Sequence, residues 1–281
     1  MDLGLPETIS VCAGALDQAC GAIGAGNIAP GHFSENTGAA VAICATVNEM
    51  TYDPNGSMPC HYHGLAGRYM LHTFTGGGIV LRWFRDKFCE PEIEKARRTG
   101  QESYALLSEL AEQVPPGADG LLLLPHLQGA MAPENNSEAS GVLMGLTLQH
   151  DRGHVVRAIM ESISFIVRRN IEAIERLGAP IDRIRALGGG ARSAVWKQIE
   201  ADVLGCPVVT MKHSDAGALG AALLGGLGVG IWSNIEEAVE NVVEEDRVFE
   251  PNLSNKHLYD DRYAAYLAAY DATVPLFGRL R

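Results

Sequence analysis

Asp17 is the residue best placed for acid–base chemistry in this sequence. It follows an apolar run, residues 8–14, and stands where an alanine-rich helix is predicted to begin. If that run is a buried strand, Asp17 lies at its carboxyl end, where α/β sheets bind ligands. A free carboxylate there can accept a proton from a substrate hydroxyl. The alternative is a helix N-cap, a role that Asp also fills well and that spacing alone favours.

Glycines at predicted turns are candidates for contact with a phosphate. Thr37 and Gly38 form the tip of a predicted hairpin and offer one hydroxyl and backbone amides, although most such turns hold no ligand. Gly78 ends a run of three glycines before a predicted helix. A plain helix entry is the favoured alternative for that run.

Another glycine run, residues 188–190, lies between a predicted strand and a predicted helix. Glycines there let a ligand approach the backbone, and a helix N-terminus attracts anions. The segment is not the dinucleotide fingerprint, because Ser193 occupies the third glycine position. It is not a P-loop either, because no Gly-Lys-Ser/Thr sequence follows. Ser193 is instead a candidate N-cap for the next helix.

Histidines and cysteines do not define a metal site. His61 and His63 would share one face of a predicted strand with His72 nearby, but exposed hairpin histidines are the more frequent outcome. The six cysteines include no Cys-x-x-Cys pair and match no zinc-ribbon spacing. Scattered thiols in a chain of 281 residues are typical of a reducing compartment, so we expect a cytoplasmic protein.

The charge balance argues against two classes of function. The 22 basic and 34 acidic residues give a net charge of −12 with no basic stripe to offset it, so binding to nucleic acid is not expected. Residues 216–235 carry no charge and are long enough to cross a bilayer. Their glycines instead predict a buried helix of about two turns, so no membrane association is expected.

The hydrophobic pattern predicts an α/β domain with a mixed sheet. Predicted strands span residues 8–14, 32–36, 39–46, 61–65, 69–74, 121–124, 183–187 and 207–211. Predicted helices span residues 17–24, 79–88, about 104–114, 152–177, 194–204, a segment from 215, and a last helix with tyrosines at 259, 263, 266 and 270. We interpret this tyrosine stripe as packing. Residues 90–101 are charged and hold a proline and a glycine, which predicts a surface linker.

Two segments resemble the second signature of the FGGY family of carbohydrate kinases, in its xylulokinase-like branch. These are residues 141–146 and 154–161, and residues 189–193 with Trp196 and Gln198 also match the family. The resemblance covers nearly the whole chain. It implies a ribonuclease-H-like domain of the actin and sugar-kinase type, with a mixed sheet flanked by helices and a small hairpin and helix insertion at about residues 50–118.

The resemblance also implies roles for individual residues. Asp17 stands where these kinases keep the carboxylate that takes the proton from the sugar hydroxyl, and Gln18 stands where a substrate contact is expected. Thr37 and Gly38 match the second phosphate loop. The other nucleotide contacts implied are Gly78, Gly189, Gly190, Ala191 and Ser193. The implied cosubstrate is ATP with Mg²⁺, and no residue is assigned as a metal ligand.

By the same resemblance, residues 1–281 correspond to the C-terminal, nucleotide-binding domain, and the N-terminal sugar-binding domain is absent. We therefore expect half of an ATP-dependent carbohydrate kinase, which would transfer the γ-phosphoryl group of MgATP to a hydroxyl of a ketose or polyol such as xylulose. Activity is not expected without the missing domain. The alternative is a non-catalytic nucleotide-binding module or partner subunit. Expected partners are a small-molecule sugar, a nucleotide, and either an N-terminal kinase domain or a second copy of the chain.

One stretch departs from the family pattern. Family members usually carry Glu-Arg after the glycine that is Gly129 here, whereas this chain has Ala130 and Met131. Two charges are therefore missing from a loop expected near the cleft, which bears on substrate choice or domain closure.

Overall fold

The fold is that of a computed structural model, which describes Gly4, Pro6 and residues 8–213 and 215–279. Within these residues the strands are β1 (His32–Thr37), β2 (Ala40–Val47), β3 (Cys60–Tyr62), β4 (Tyr69–Gly76), β5 (Leu122–Leu124), β6 (Val142–Met144), β7 (Arg183–Leu187), β8 (Val208–Met211) and β9 (Glu245–Phe249). The helices are α1 (Asp17–Gly24), α2 (Gly78–Phe88), α3 (Glu90–Thr99), α4 (Ser103–Glu112), α5 (Arg152–Arg176), α6 (Ala194–Leu204), α7 (Ala216–Gly228), α8 (Ile235–Val242) and α9 (Lys256–Phe277).

Seven of these strands form one mixed sheet in the order β3-β4-β2-β1-β7-β8-β9. β1 pairs in parallel with β7, and β7 pairs in parallel with β8, whereas the other neighbours are antiparallel. In the centre of the sheet, Glu35 of β1 lies between Ile43 of β2 and Ala186 of β7. The predicted α/β class with a mixed sheet and flanking helices is confirmed.

The two faces of the sheet are covered by different helices. α1 packs on the face that carries Cys44 and Met70. The larger core lies on the other face, where Ile43 and Leu71 pack with apolar residues of α5. The four tyrosines of α9 are buried in this larger core, so their interpretation as packing residues is confirmed.

α1 and α7 cross at glycines. A Cβ added to Gly24 would collide with the carbonyl oxygen of Ala216, and one added to Gly220 would collide with that of Cys20. The glycines of α7 therefore let the two helices approach closely instead of ending α7 after two turns, and the helix spans 13 residues. In the part of the chain described here, no helix is long and apolar enough to cross a membrane.

Two predicted elements are wrong. Residues 9–16 contain neither helix nor strand: none of the described strands pairs with this apolar run, and Val11 is 92% exposed. The predicted linker at residues 90–101 is largely the helix α3. Pro91 lies in its first turn, where a missing N–H costs no hydrogen bond, and Gly100 follows its last residue in the left-handed conformation. The strands β6 and β9 and the helix α8 were not predicted.

The range of about 50–118, for which an insertion is predicted, contains β3, β4 and α2 to α4. β4 pairs with β2, and β3 pairs with β4, so these two strands belong to the central sheet. The helices α2 and α4 pack against α5. The division of the chain into a domain with an insertion stays a prediction.

Candidate functional site

A cavity of about 520 Å³ lies at the end of β1, between the β1–β2 turn, the start of α2, the helix α4 and the loop that joins β7 to α6. Its lining combines glycines, small hydroxyl side chains, apolar side chains and a few charges. The lining residues are Thr37, Gly38, Ala39, Gly78, Leu81, Arg82, Glu102, Tyr104, Ala105, Ser108, Met160, Gly189, Gly190, Arg192, Ser193 and Trp196. Five separate segments of the chain thus meet at one site.

Gly78 is held directly against the β1–β2 turn. Its backbone N–H donates to the carbonyl oxygen of Gly38 at 3.0 Å. A Cβ on Gly78 would lie 2.5 Å from that same oxygen, so a larger residue would push the helix start away from the turn. Gly78 therefore lets two backbone segments approach closely. A plain helix entry would not require a glycine at this position.

Thr37 packs against the glycine loop that follows β7. Its side chain is buried, and a Cβ added to Gly190 would lie 2.6 Å from its Cγ2 atom. Gly189, by contrast, is exposed and faces open space, since the nearest atom to an added Cβ is the carbonyl oxygen of Thr37 at 4.0 Å. Gly190 therefore fits the loop to the turn, and Gly189 leaves room above it.

Ser193 closes one wall of the cavity. As predicted, it is the N-cap of α6, and its Oγ accepts a hydrogen bond from the backbone N–H of Trp196 at 3.4 Å. The same Oγ lies 2.8 Å from the Oγ of Ser108 on α4, which ties the two helices together. Because α6 begins at the cavity, its free N–H groups and dipole make this wall favourable for an anion.

Of the predicted nucleotide contacts, Ala191 does not line the cavity. It belongs to the same loop but packs against the larger core. Several lining residues were missed from the sequence, among them Arg82, Tyr104 and Ser108. Tyr104 and Ser108 lie four residues apart, which is the helical signal that could have placed them on one face of α4. The guanidinium of Arg85 lies 4.5 Å from the centre of the Tyr104 ring and covers one side of it.

Asp17 and Gln18 lie apart from the cavity. Asp17 is exposed at the start of α1, and its Oδ1 accepts a hydrogen bond from the backbone N–H of Gln18 at 2.8 Å. Since α1 covers the sheet face opposite to α5, the structure does not bring these two residues together with the glycine loops. Neither residue is among the cavity's described lining.

The histidines near Asp17 are mostly buried, contrary to the expectation of exposed hairpin residues. The Nε2–H of His63 donates to the carbonyl oxygen of Asn27 at 2.9 Å, and burial lowers the pKa of His63 to about 4. Burial and the neighbouring His61 lower the pKa of His72 to about 4 as well. Among the described residues, no group of three or more His, Cys, Asp or Glu side chains could hold a metal ion.

The segment that carries the second-signature resemblance has a mainly structural role. It forms β6 and the start of α5, where Asp151 and His154 make a capping box. Glu161 accepts hydrogen bonds from the backbone N–H of Gly117 at 2.8 Å and from Tyr259 at 3.1 Å. Among the described residues of this segment, Met160 is the one that lines the cavity.

Residues 44–229 match the model of the C-terminal domain of the FGGY family of carbohydrate kinases. The chain belongs to this family. Among its relatives, a xylulose kinase of Staphylococcus epidermidis is 31% identical over 99% of the chain and 54% of the relative. A gluconokinase of Bacillus licheniformis is 36% identical over 79% of the chain and 44% of the relative.

Solved structures agree with this family. The crystal structure of a xylulose kinase from Rhodospirillum rubrum superimposes with a TM-score of 0.85 at 32% identity, over 98% of the chain and 54% of that structure. The chain thus spans about half the length of the relatives it matches. The ribonuclease-H-like sugar-kinase architecture expected from the resemblance is confirmed.

Proposed function

We propose that the cavity is the nucleotide site of an ATP-dependent carbohydrate kinase. One observation carries this proposal: a single cavity collects Thr37, Gly38, Gly78, Gly189, Gly190 and Ser193 from three separate segments. Backbone amides at glycine turns and at the start of α6 suit the phosphates. The apolar side chains of Leu81, Met160 and Trp196 suit the flat, poorly hydrated faces of a base.

The proposed reaction moves the γ-phosphoryl group of MgATP to a hydroxyl of a ketose or polyol. Its transition state is loose, so positioning and charge neutralisation contribute most of the catalysis. Arg82 and Arg192 at the cavity would offset phosphate charge. Mg²⁺ would enter with the nucleotide and stay on its phosphates largely through water, since it retains several waters in such sites.

Asp17 is proposed as the base that orients and deprotonates the acceptor hydroxyl, and Gln18 as a substrate contact. Both stand at the exposed start of α1, on the sheet face away from the cavity. The γ-phosphoryl group would therefore be transferred near the β1–β2 turn at Gly38. This turn lies at the end of the sheet, which can be reached from either face. The exposure of Asp17 supports this role, because a substrate can reach it.

Relatives of the chain are named for xylulose and for gluconate. We therefore propose an open-chain sugar or polyol of similar size, with a xylulose-like ketose first. The matched relatives are about twice as long, so the proposed enzyme includes a second, sugar-binding domain. The six free cysteines support the cytoplasm as the proposed location.

A turnover assay of the complete two-domain enzyme with MgATP and a panel of pentuloses, polyols and gluconate tests this proposal. Asp17→Asn should lower turnover by roughly 10²–10⁴-fold, the usual contribution of a positioned base. The matched control is Asp151→Asn, which changes another exposed carboxylate at a helix start and keeps a good N-cap. Normal turnover in Asp17→Asn would remove Asp17 from the proposed role.

The second candidate is a nucleotide-binding module without its own turnover. Two observations favour it. Asp17 is not among the residues that line the cavity, and the chain spans about half the length of its relatives. Binding of MgADP with no phosphorylation of any acceptor, even when a sugar-binding domain is supplied, would support this candidate. Phosphorylation by the chain alone would exclude it.

A further inference from the structure

Lys197 of α6 is a fully buried cation between two buried carboxyl groups. Its Nζ lies 3.2 Å from Oε2 of Glu35 and contacts Oε2 of Glu200. The three side chains are between 0 and 2% exposed. We call these three residues the buried charge cluster.

The buried charge cluster connects β1 and α6, two elements that contribute walls of the cavity. Glu35 lies on β1, two residues before Thr37, and Lys197 directly follows Trp196 on α6. Thr37 and Trp196 both line the cavity. A shift of β1 relative to α6 would therefore move the β1–β2 turn relative to the start of the helix.

The cluster is an unusual way to stabilise a core. One ammonium faces two carboxyl groups, and among the described residues Oε1 of Glu35 and Oε1 of Glu200 have no hydrogen-bond partner. Burial, with the charge of Glu200, raises the pKa of Glu35 to about 8. Buried ion clusters are often no more stabilising than apolar side chains of the same volume, but their directional contacts fix geometry. Because such a cluster adds little stability but fixes geometry, we interpret its role as positioning.

We propose that Lys197, through Glu35 and Glu200, is a positioning residue that sets the distance between the phosphate-binding turn at Thr37 and the start of α6. This inference rests on the proposed nucleotide function of the cavity. It predicts that removing the charges alters nucleotide affinity even where the fold is kept.

The first test compares MgADP affinity by titration calorimetry in the wild-type chain and in K197M/E35L/E200L. The triple variant removes every charge of the cluster together, because Lys197→Met alone would leave two buried carboxyl groups without their cation. We expect a folded variant that binds MgADP at least about tenfold more weakly, since small misplacements of binding groups are costly. Glu134→Gln is the control: it alters a carboxylate whose side chain is 6% exposed and paired with Arg169, away from the cavity, and should keep wild-type affinity.

The second test keeps the fold with a milder change, Glu35→Gln. The charged groups that face Glu35 are Lys197 and Glu200, both on α6, while the adjacent strands place Ile43 and Ala186 beside it. As pH rises through about 8, Glu35 loses its proton and the two carboxylates repel each other. Wild-type MgADP affinity should therefore fall between pH 7 and 9 more steeply than the affinity of Glu35→Gln, which cannot titrate.

The outcomes separate the two proposals. If the wild-type chain does not bind MgADP, the nucleotide function fails and the inference fails with it. If the wild type binds and folded K197M/E35L/E200L binds equally well, positioning by the cluster alone is wrong. Should the triple variant not fold, the pH profiles decide, and identical profiles for the wild type and Glu35→Gln would overturn the inference.

Discussion

At the scale of single residues, two kinds of glycine line the cavity. One kind lies in close contact with neighbouring atoms, and the other borders open space. Gly190 belongs to the first kind and Gly189 to the second. They are neighbours in one loop, so they form a natural pair for mutation. The same substitution should therefore destabilise the chain at one position and leave its stability unchanged at the other.

Gly190→Ala should lower the free energy of unfolding by about 1–3 kcal/mol, the usual cost of overpacking, because the new Cβ meets Cγ2 of Thr37. By displacing Thr37 it should also weaken MgADP binding. Gly189→Ala is the matched control and should keep wild-type stability. Urea unfolding measures both variants, and equal stability would show that Thr37 does not press on this loop.

Six of the seven nucleotide contacts that the resemblance implies line the cavity, yet the resemblance could not predict how every residue faces. Ala191 has the right position in the loop but turns to the core. Tyr104 and Ser108 were missed because an amphipathic pattern predicts a helix without telling which neighbour covers each face. Asp17 was correctly placed at a helix start, but its separation from the cavity depends on which sheet face α1 covers.

At the scale of elements, the contact between α1 and α7 fixes the helix that begins at Asp17. Both helices are rich in small residues, which let their backbones approach closely. The closest approach joins Gly220 to the backbone of Cys20. The position of Asp17, the proposed base, therefore depends on a glycine of α7, which is distant in sequence.

Gly220→Ala should destabilise the chain by more than about 2 kcal/mol, because its Cβ would collide with the Cys20 carbonyl oxygen. Gly225→Ala in the same helix meets no atom within 4 Å. That control should stabilise the chain by about 0.5–1 kcal/mol, since alanine favours a helix more than glycine does. Denaturant unfolding of the two variants measures this difference. A Gly220→Ala variant as stable as the control would rule out the close crossing.

Element prediction failed where local and tertiary signals disagree. The charged stretch with Pro91 and Gly100 looks like a linker, but both residues occupy helix ends, where they are favoured. The apolar run before Asp17 looks like a strand, but a strand needs a neighbour, and the sequence does not show whether one is present. Longer periodic elements such as α5 were predicted nearly to their ends.

At the scale of the whole molecule, the mixed sheet determines which segments of the chain meet at the cavity. Its class was predictable from the order of elements, whereas the parallel pairing of β1 with β7 joins segments far apart in sequence. That pairing brings the turn after β1 next to the glycine loop after β7, which creates the cavity. The chain spans about half the length of its relatives.

The most direct measurement is titration calorimetry of MgADP into the purified chain, with Gly189→Phe beside the wild type. The wild type should bind one MgADP per chain, and a phenyl ring at the open position 189 should abolish binding while leaving the thermal unfolding temperature unchanged. No detectable binding by the wild type at millimolar MgADP, or equal affinity in the two proteins, would contradict the assignment of this cavity to the nucleotide.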